Sequence, residues 1–250
     1  MNAYHFGLIG FPLSHSFSEQ YFSNKFKNEN ISNCRYKLFP LKTIKEFNKL
    51  LINNSRLRGL NVTIPYKTSV IKYLDELSPE AEEIGAVNTI KILRQGDEIY
   101  CKGYNTDIFG FQTALGDINR KFRSALILGT GGASKAVEYV LRTLNAEVTF
   151  VTRSAGNLSN VLNYNDLNRN IIQGVDLIVN TTPLGMFPKK ELSPDIPYHA
   201  LTDKHLLFDL IYNPADTLFM KKGRRQGAKV TNGLSMLKYQ AEKAWSVFGI

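Results

Sequence analysis

The sequence predicts an α/β chain of two domains, the second built as a doubly wound nucleotide-binding sheet. Three observations carry that prediction. Short apolar runs alternate with helical patterns through the first third, the glycine-rich turn Gly129-Thr130-Gly131-Gly132-Ala133 stands between an apolar strand and a helix, and Gly103 to Gly110 reads as a hinge leading into a new helix.

Taken in order, YHFGLIG reads as a strand, Ser16 to Asn28 as a helix, CRYKLFPL as a strand and Thr43 to Asn53 as a helix. LRGLNVTIP is the third strand, and a helix is expected from about Lys67 to Leu74. Strands that alternate with helices imply a parallel or mixed sheet. Ser16-Phe17-Ser18-Glu19 has the spacing of a capping box, in which hydroxyl and carboxylate satisfy N–H groups at the helix start. Arg94-Gln95-Gly96-Asp97-Glu98 reads as a hairpin turn. From Arg123 onward the order becomes strand RSALILG, glycine turn, helix Ser134 to Leu144, then strands EVTFVT, VDLIVNTT, HLLFDLIY and AKVTN. Ser235 to Phe248 sets Met236, Leu237, Ala241, Ala244, Trp245 and Phe248 at helical spacing, which predicts a helix with one buried face.

Composition narrows the class. Of the 250 residues 43% are hydrophobic, enough for one large core or two small ones. No run approaches the roughly 18 apolar residues of a membrane-spanning helix, and MNAYHFGLIG lacks a basic region followed by an apolar core, so a soluble cytoplasmic protein is expected, with no membrane partner. Cys34 and Cys101 stand far apart and read as buried thiols rather than a disulfide. His5, His15, His199 and His205 have no metal-ligand spacing, and no metal is predicted. The net charge of +9 favours anionic partners. The basic residues are scattered, and the pairs Lys189-Lys190, Lys221-Lys222 and Arg224-Arg225 lack the interleaved aromatics of a nucleic-acid platform. An anionic small molecule with a phosphorylated cofactor is the expected partner set, the protein itself being a monomer or homodimer.

The glycine turn suits a pyrophosphate, because glycines let the backbone approach and a helix N-terminus faces the charge. A site for NAD ordinarily presents a carboxylate after the next strand to hold a ribose 2′-hydroxyl. This chain offers Thr152-Arg153-Ser154, a guanidinium flanked by hydroxyls that suits a 2′-phosphate. The cofactor inferred is NADP(H).

Hydride transfer to a ketone builds charge on oxygen, so a proton donor or cation is needed beside it, with a second group to hold the donor. Lys67, where Asn61-Val62-Thr63-Ile64-Pro65-Tyr66-Lys67 leaves a strand, and Asp107, in Gly103-Tyr104-Asn105-Thr106-Asp107, are the candidates, and the pair is expected to face one cleft. Which of them is the formal acid stays open.

Eight motifs occur in register: Gly10-Phe11-Pro12-Leu13-Ser14-His15-Ser16, the run ending at Lys67, Gly85-Ala86-Val87-Asn88-Thr89, the run ending at Asp107, the glycine turn, Asn180-Thr181-Thr182-Pro183-Leu184-Gly185-Met186, Asp209-Leu210-Ile211-Tyr212-Asn213-Pro214 and Asn232-Gly233-Leu234-Ser235-Met236-Leu237. Together they resemble the shikimate dehydrogenase family over essentially the whole chain. The resemblance implies NADPH-dependent, reversible reduction of 3-dehydroshikimate to shikimate, on the route to chorismate and the aromatic amino acids. It also implies an N-terminal α/β substrate domain with a mixed sheet at residues 1–104, to which a helix at 235–250 returns, and a Rossmann-type NADP-binding domain at 105–234.

On this resemblance Ser14 and Ser16 hold the substrate carboxylate, while Thr63, Lys67, Asn88, Asp107 and Gln240 surround its ring hydroxyls and Tyr212 stands near it. Gly129, Thr130, Gly131, Gly132, Ala133, Thr152, Arg153 and Ser154 bind the phosphates. Asn180, Thr181, Met186 and Ile211 line the nicotinamide side, with Gly233 approaching the nicotinamide amide through its backbone. The chain departs from the family pattern at Glu19 and Phe22, at Asn157 where a second arginine is common, and at Asn232 and Ser235. Three rivals remain: a quinate/shikimate dehydrogenase using NAD, a non-catalytic NADPH-binding sensor, and a nucleic-acid binder, which the scattered basic residues argue against.

Overall fold

The computed structural model describes residues 4–13, 16–154 and 160–249. The chain forms two compact units, one of Met1–Thr106 with Ala241–Ile250, the other of Asp107–Gln240.

The first unit contains β1 (Tyr4–Gly10), α1 (Phe17–Asn28), β2 (Cys34–Pro40), α2 (Phe47–Asn53), β3 (Leu57–Val62), β4 (Glu76–Leu77), α3 (Pro79–Ile84), β5 (Thr89–Gln95) and β6 (Glu98–Tyr104). Its sheet runs β2-β1-β3-β5-β6-β4. β1 pairs parallel to β2 and β3, because α1 and α2 provide the crossovers that parallel neighbours need. β5 is antiparallel to β3 and β6, so the sheet is mixed. Gly96 makes the β5–β6 hairpin possible at φ +58°. One face of the sheet packs Ile9, Phe47, Leu57, Leu60, Val62, Val87 and Ile90. Phe6, Phe22 and Phe26 pack with Ala241, Ala244 and Phe248 from the last helix. Phe248 stacks on Phe6 at 4.9 Å and occupies the space that a side chain at Gly59 would need. Burying a ring of that size stabilises by roughly 2–3 kcal/mol.

The second unit continues with α4 (Thr106–Gly116), β7 (Ser124–Leu128), α5 (Gly132–Thr143), β8 (Glu147–Thr152), β9 (Val161–Asn163), α6 (Arg169–Gln173), β10 (Leu177–Asn180), β11 (Leu206–Asp209), α7 (Leu218–Arg225), β12 (Lys229–Asn232) and α8 (Leu234–Phe248), whose last residues, from Ala241, belong to the first unit. The sheet order is β12-β11-β10-β7-β8-β9 and every pair is parallel. That is the doubly wound Rossmann order, with the direction of winding reversing between β7 and β10. Strands covered on both faces are continuously apolar, as Leu126-Ile127-Leu128 and Leu177-Ile178-Val179 are. Among the described residues no helix is long and apolar enough to cross a membrane.

Several expected elements differ. The helix expected from Lys67 to Leu74 is a series of turns ending in a 3₁₀ helix at Ile71–Tyr73. The Lys67 carbonyl accepts from Val87 N at 2.7 Å, and Ile71 N bonds Thr68 O at 3.4 Å. Thr68, Ser69, Val70 and Ile71 have little helix propensity to oppose this. Ser16 has the extended backbone of an N-cap at φ −109°, but its side chain makes no cap bond, so the expected box at Ser16 and Glu19 is not closed. Capping boxes form instead at Thr43/Glu46 and Asn163/Asp166. The stretch read as a hinge leading into a new helix holds the division between the units, at Thr106 and Asp107, and runs from β6, which contains Gly103, into α4, which contains Gly110. α3, α6 and α7 arise from segments the apolar periodicity left unassigned.

Candidate functional site

In the first unit the C-terminal end of β3 gathers three of the expected substrate residues. Val62 N bonds Asn88 O at 2.8 Å, Thr63 N bonds Ile9 O at 2.9 Å, and Val87 N bonds Lys67 O at 2.7 Å. These backbone bonds hold Thr63, Lys67 and Asn88 around one strand end. Asn88 is buried, and its carboxamide oxygen accepts from Thr106 N at 2.7 Å, from Thr106 Oγ1 at 3.1 Å and from Thr89 Oγ1 at 3.1 Å. An amide whose oxygen is so engaged has its orientation set, which fixes Nδ2 as the donor end. Below it Asn61 receives the Tyr36 hydroxyl at 2.8 Å and donates to Thr89 Oγ1 at 3.2 Å. Burial pushes the Tyr36 phenol well above its ordinary range, so it stays a donor. The sequence pattern assigns no role to Asn61, Thr89 and Thr106, although each belongs to a motif; the sign that marks Asn61 and Thr89 is a polar residue at a strand position buried in the sheet. Ser16 stands at the N-cap position of α1, and Ser14 and His15 lie outside the described residues.

In the second unit Asp107 is a buried carboxylate in the first turn of α4, where the helix dipole favours an anion. One turn on, Gly110 lets α8 approach: a side chain there would meet Met236 O at 2.6 Å and Gln240 Cβ at 2.9 Å. Asp107 and Gln240 thus sit on two helices in close contact. Gln240 Nε2 also donates to Leu237 O at 3.0 Å.

The glycine turn lies where the winding reverses. Gly129 takes φ +106°, open to glycine and not to other residues, and a Cβ on it would press Thr181 Oγ1 at 2.9 Å. Thr181 returns to the same strand end, its N and Oγ1 both bonding Leu128 O, at 3.0 and 2.7 Å. Gly131 is the N-cap of α5 with no side-chain cap, and among the described residues nothing stands within 4 Å of where its Cβ would be. Thr130 and Gly131 are exposed, Gly132 and Ala133 half-buried. Uncapped helix N–H groups beside open space form a site for an anion. At the end of β8, Thr152 is half-buried and Arg153 and Ser154 are exposed; Asn163 Nδ2 holds the Arg153 carbonyl at 2.8 Å. A guanidinium with a hydroxyl on either side, where NAD sites carry a carboxylate, fits a 2′-phosphate, so these residues fit NADP. Asn157 lies outside the described residues.

At the ends of β10 and β11, Asn180 is wholly buried and donates to Asp209 Oδ1 at 3.0 Å. Asp209 Oδ1 also accepts from Ile211 N at 3.1 Å, and Oδ2 from Thr217 Oγ1 at 2.6 Å. Burial lifts the Asp209 carboxyl to about 6 in spite of these bonds. The Asn180 side chain therefore turns inward, while Met186 is exposed and Tyr212 half-buried. Gly233 N bonds Ile211 O at 3.1 Å, and a Cβ on Gly233 would collide with the Leu210 carbonyl. Asp209 and Thr217 had no predicted role, although Asp209 opens a recognised motif.

Residues 8–90 match the family model described as the shikimate dehydrogenase substrate binding domain. The shikimate dehydrogenase (NADP(+)) of Methanosphaera stadtmanae is 38% identical over 97% of this chain and 90% of its own length. Among solved structures, shikimate dehydrogenase 1 from Peptoclostridium difficile is 38% identical with a TM-score of 0.85, covering 99% of this chain and 91% of its own. Shikimate 5-dehydrogenase from Thermus thermophilus, in complex with NADP(H) and shikimate, is 29% identical with a TM-score of 0.85, covering 98% and 93%.

Proposed function

The chain belongs to the shikimate dehydrogenase family, and on that premise we propose residue roles for its reaction. It is an NADP-dependent oxidoreductase acting on a CH–OH group, interconverting shikimate and 3-dehydroshikimate. The observation that carries this reading is that likeness to enzymes of this name runs through both units, over 97% of the chain.

Substrate binding is assigned to residues 1–104 with 235–250, and NADP binding to residues 105–234. The cofactor when bound supplies the hydride. The chain supplies the rest: the Lys67 ammonium stabilises or protonates the developing alkoxide, and Asp107 orients the amine. Ser14 and Ser16 donate hydroxyls to the substrate carboxylate. Thr63, Asn88, Gln240 and Tyr212 engage the ring hydroxyls, and a competing ligand lacking those groups would leave buried donors unpaired. The fixed amide of Asn88 supports its part, because a set donor end selects a hydroxyl at one position. The N-terminus of α5 with Gly129 to Ala133 takes the pyrophosphate, and Thr152, Arg153 and Ser154 take the 2′-phosphate. Thr181, Met186, Ile211 and Gly233 line the nicotinamide, with Asn180 beneath them.

Steady-state rates with shikimate and quinate, each against NADP+ and NAD+, test the assignment. The highest kcat/KM is expected for shikimate with NADP+. A preference for quinate with NAD+, or the absence of nicotinamide absorbance change with every pair, overturns it.

A further inference from the structure

The Asp209 carboxylate takes no part in the chemistry above, yet it is wholly buried and accepts from three separate segments of the second unit. Asn180 at the end of β10 and Ile211 N just past β11 share Oδ1, while Thr217, which caps α7 through Met220 N at 3.3 Å, holds Oδ2. Asn180 passes the restraint on. Its oxygen accepts from Thr182 N at 3.0 Å and Thr182 Oγ1 at 2.7 Å, and Thr182 Oγ1 accepts from Leu184 N at 3.3 Å. Gly233 hangs on the same frame through Ile211 O.

Of the positions assigned to the nicotinamide, Ile211 bonds this carboxylate directly, while Thr181 follows its partner Asn180 in the chain and Gly233 bonds its partner Ile211, each two steps away. Resting on the cofactor reading above, we propose that Asp209 is the positioning residue for the nicotinamide half of the cofactor site, with Thr217 as its anchor. Both carboxylate oxygens act as acceptors. An amide in its place offers one acceptor. Facing Asn180 and Ile211, its N–H opposes two donors; facing Thr217, it reverses that bond, so the hydroxyl must accept where it now donates and the short charge-assisted bond of the anchor is replaced by a weaker one. Burying the charge is costly, as the upward displacement of the carboxyl shows, and an apolar side chain would join two strand ends without that cost. What the carboxylate adds is direction in the loops beyond them.

Two ligands separate the halves of the site: NADPH, and adenosine 2′,5′-bisphosphate, which lacks the nicotinamide. Measured by calorimetry on the full chain, Asp209→Asn is expected to weaken NADPH at least about fivefold while leaving the bisphosphate within about twofold. Thr217→Val should reproduce that asymmetry and Thr217→Ser should restore wild-type binding; should Asp209→Asn fail to fold, this second pair decides. Equal losses for both ligands, or none for either, overturn the proposal. A wild-type protein that binds the bisphosphate but turns over no shikimate with NADP+ sinks the assigned reaction, while the asymmetry between the two ligands still judges Asp209. Failure of the wild type to bind either ligand removes both.

Discussion

Asn180 and Asp209 are register partners at the ends of neighbouring parallel strands, and the carboxamide of one donates to the carboxylate of the other across 3.0 Å. Because burial lifts that carboxyl from 3.8 to about 6, folding takes up a proton between those values. The unfolded chain ionises first as pH rises, so this group's contribution to stability is greatest below about pH 4 and is lost, by about 3 kcal/mol at most, as pH passes about 6. Asp209→Asn should remove that slope. Urea midpoints of both proteins across the window check it, and parallel curves would refute it.

Lys67 is half-buried with its backbone carbonyl tied to Val87 N. Truncation to Ala leaves that tie intact, so the fold should persist. Turnover is expected to fall about a thousandfold, with KM for shikimate changing less than about tenfold. Near-normal kcat would remove the amine from the chemistry.

Arg153 is exposed at the end of β8. Arg153→Ala should raise KM for NADP+ at least about tenfold and leave KM for NAD+ nearly unchanged, since only the former carries the 2′-phosphate. Equal effects on both cofactors would place the guanidinium elsewhere.

Thr106→Val keeps the backbone bond to Asn88 and deletes the hydroxyl that also reaches Oδ1. A loss of about 1 kcal/mol in stability is expected, with a several-fold rise in KM for shikimate and a smaller change in kcat. The test is the split: a fall in kcat alone would contradict a role in holding the Asn88 amide.

Gly233→Ala forces a Cβ into the Leu210 carbonyl, and backbone cannot yield as a flexible side chain would. Thermal unfolding should drop by several degrees, which corresponds to about 2 kcal/mol in a chain of this size. An unchanged midpoint would mean that this turn moves freely.

Much of the scaffold is legible in the residues themselves. The glycine turn reads correctly because φ at Gly129 admits almost no other residue, and the last helix because Ala241, Ala244 and Phe248 keep one face apolar. The stretch after Lys67 misreads because a single long-range bond to Val87 takes the carbonyl that a helix would have used. α7 escapes for a different reason. Its cluster Lys222, Arg224 and Arg225 looks like a charged patch, yet cations in a last turn complement the helix dipole, and Lys222 and Arg224 pair with Ser193 and Asp216. Polar frames such as Tyr36-Asn61-Thr89 and Thr217-Asp209-Asn180 leave no periodic trace, because each joins residues from separate elements through side-chain bonds.

Phe248, seated on Phe6 in the space left by Gly59, gives the order of synthesis a consequence. Residues 107–240 are contiguous, and their sheet can assemble as soon as they leave the ribosome. The aromatic layer over β1 must wait for Ala241, Ala244 and Phe248, so a nascent chain paused before residue 241 exposes Phe6, Phe22 and Phe26 and becomes a client for chaperones that bind apolar surface.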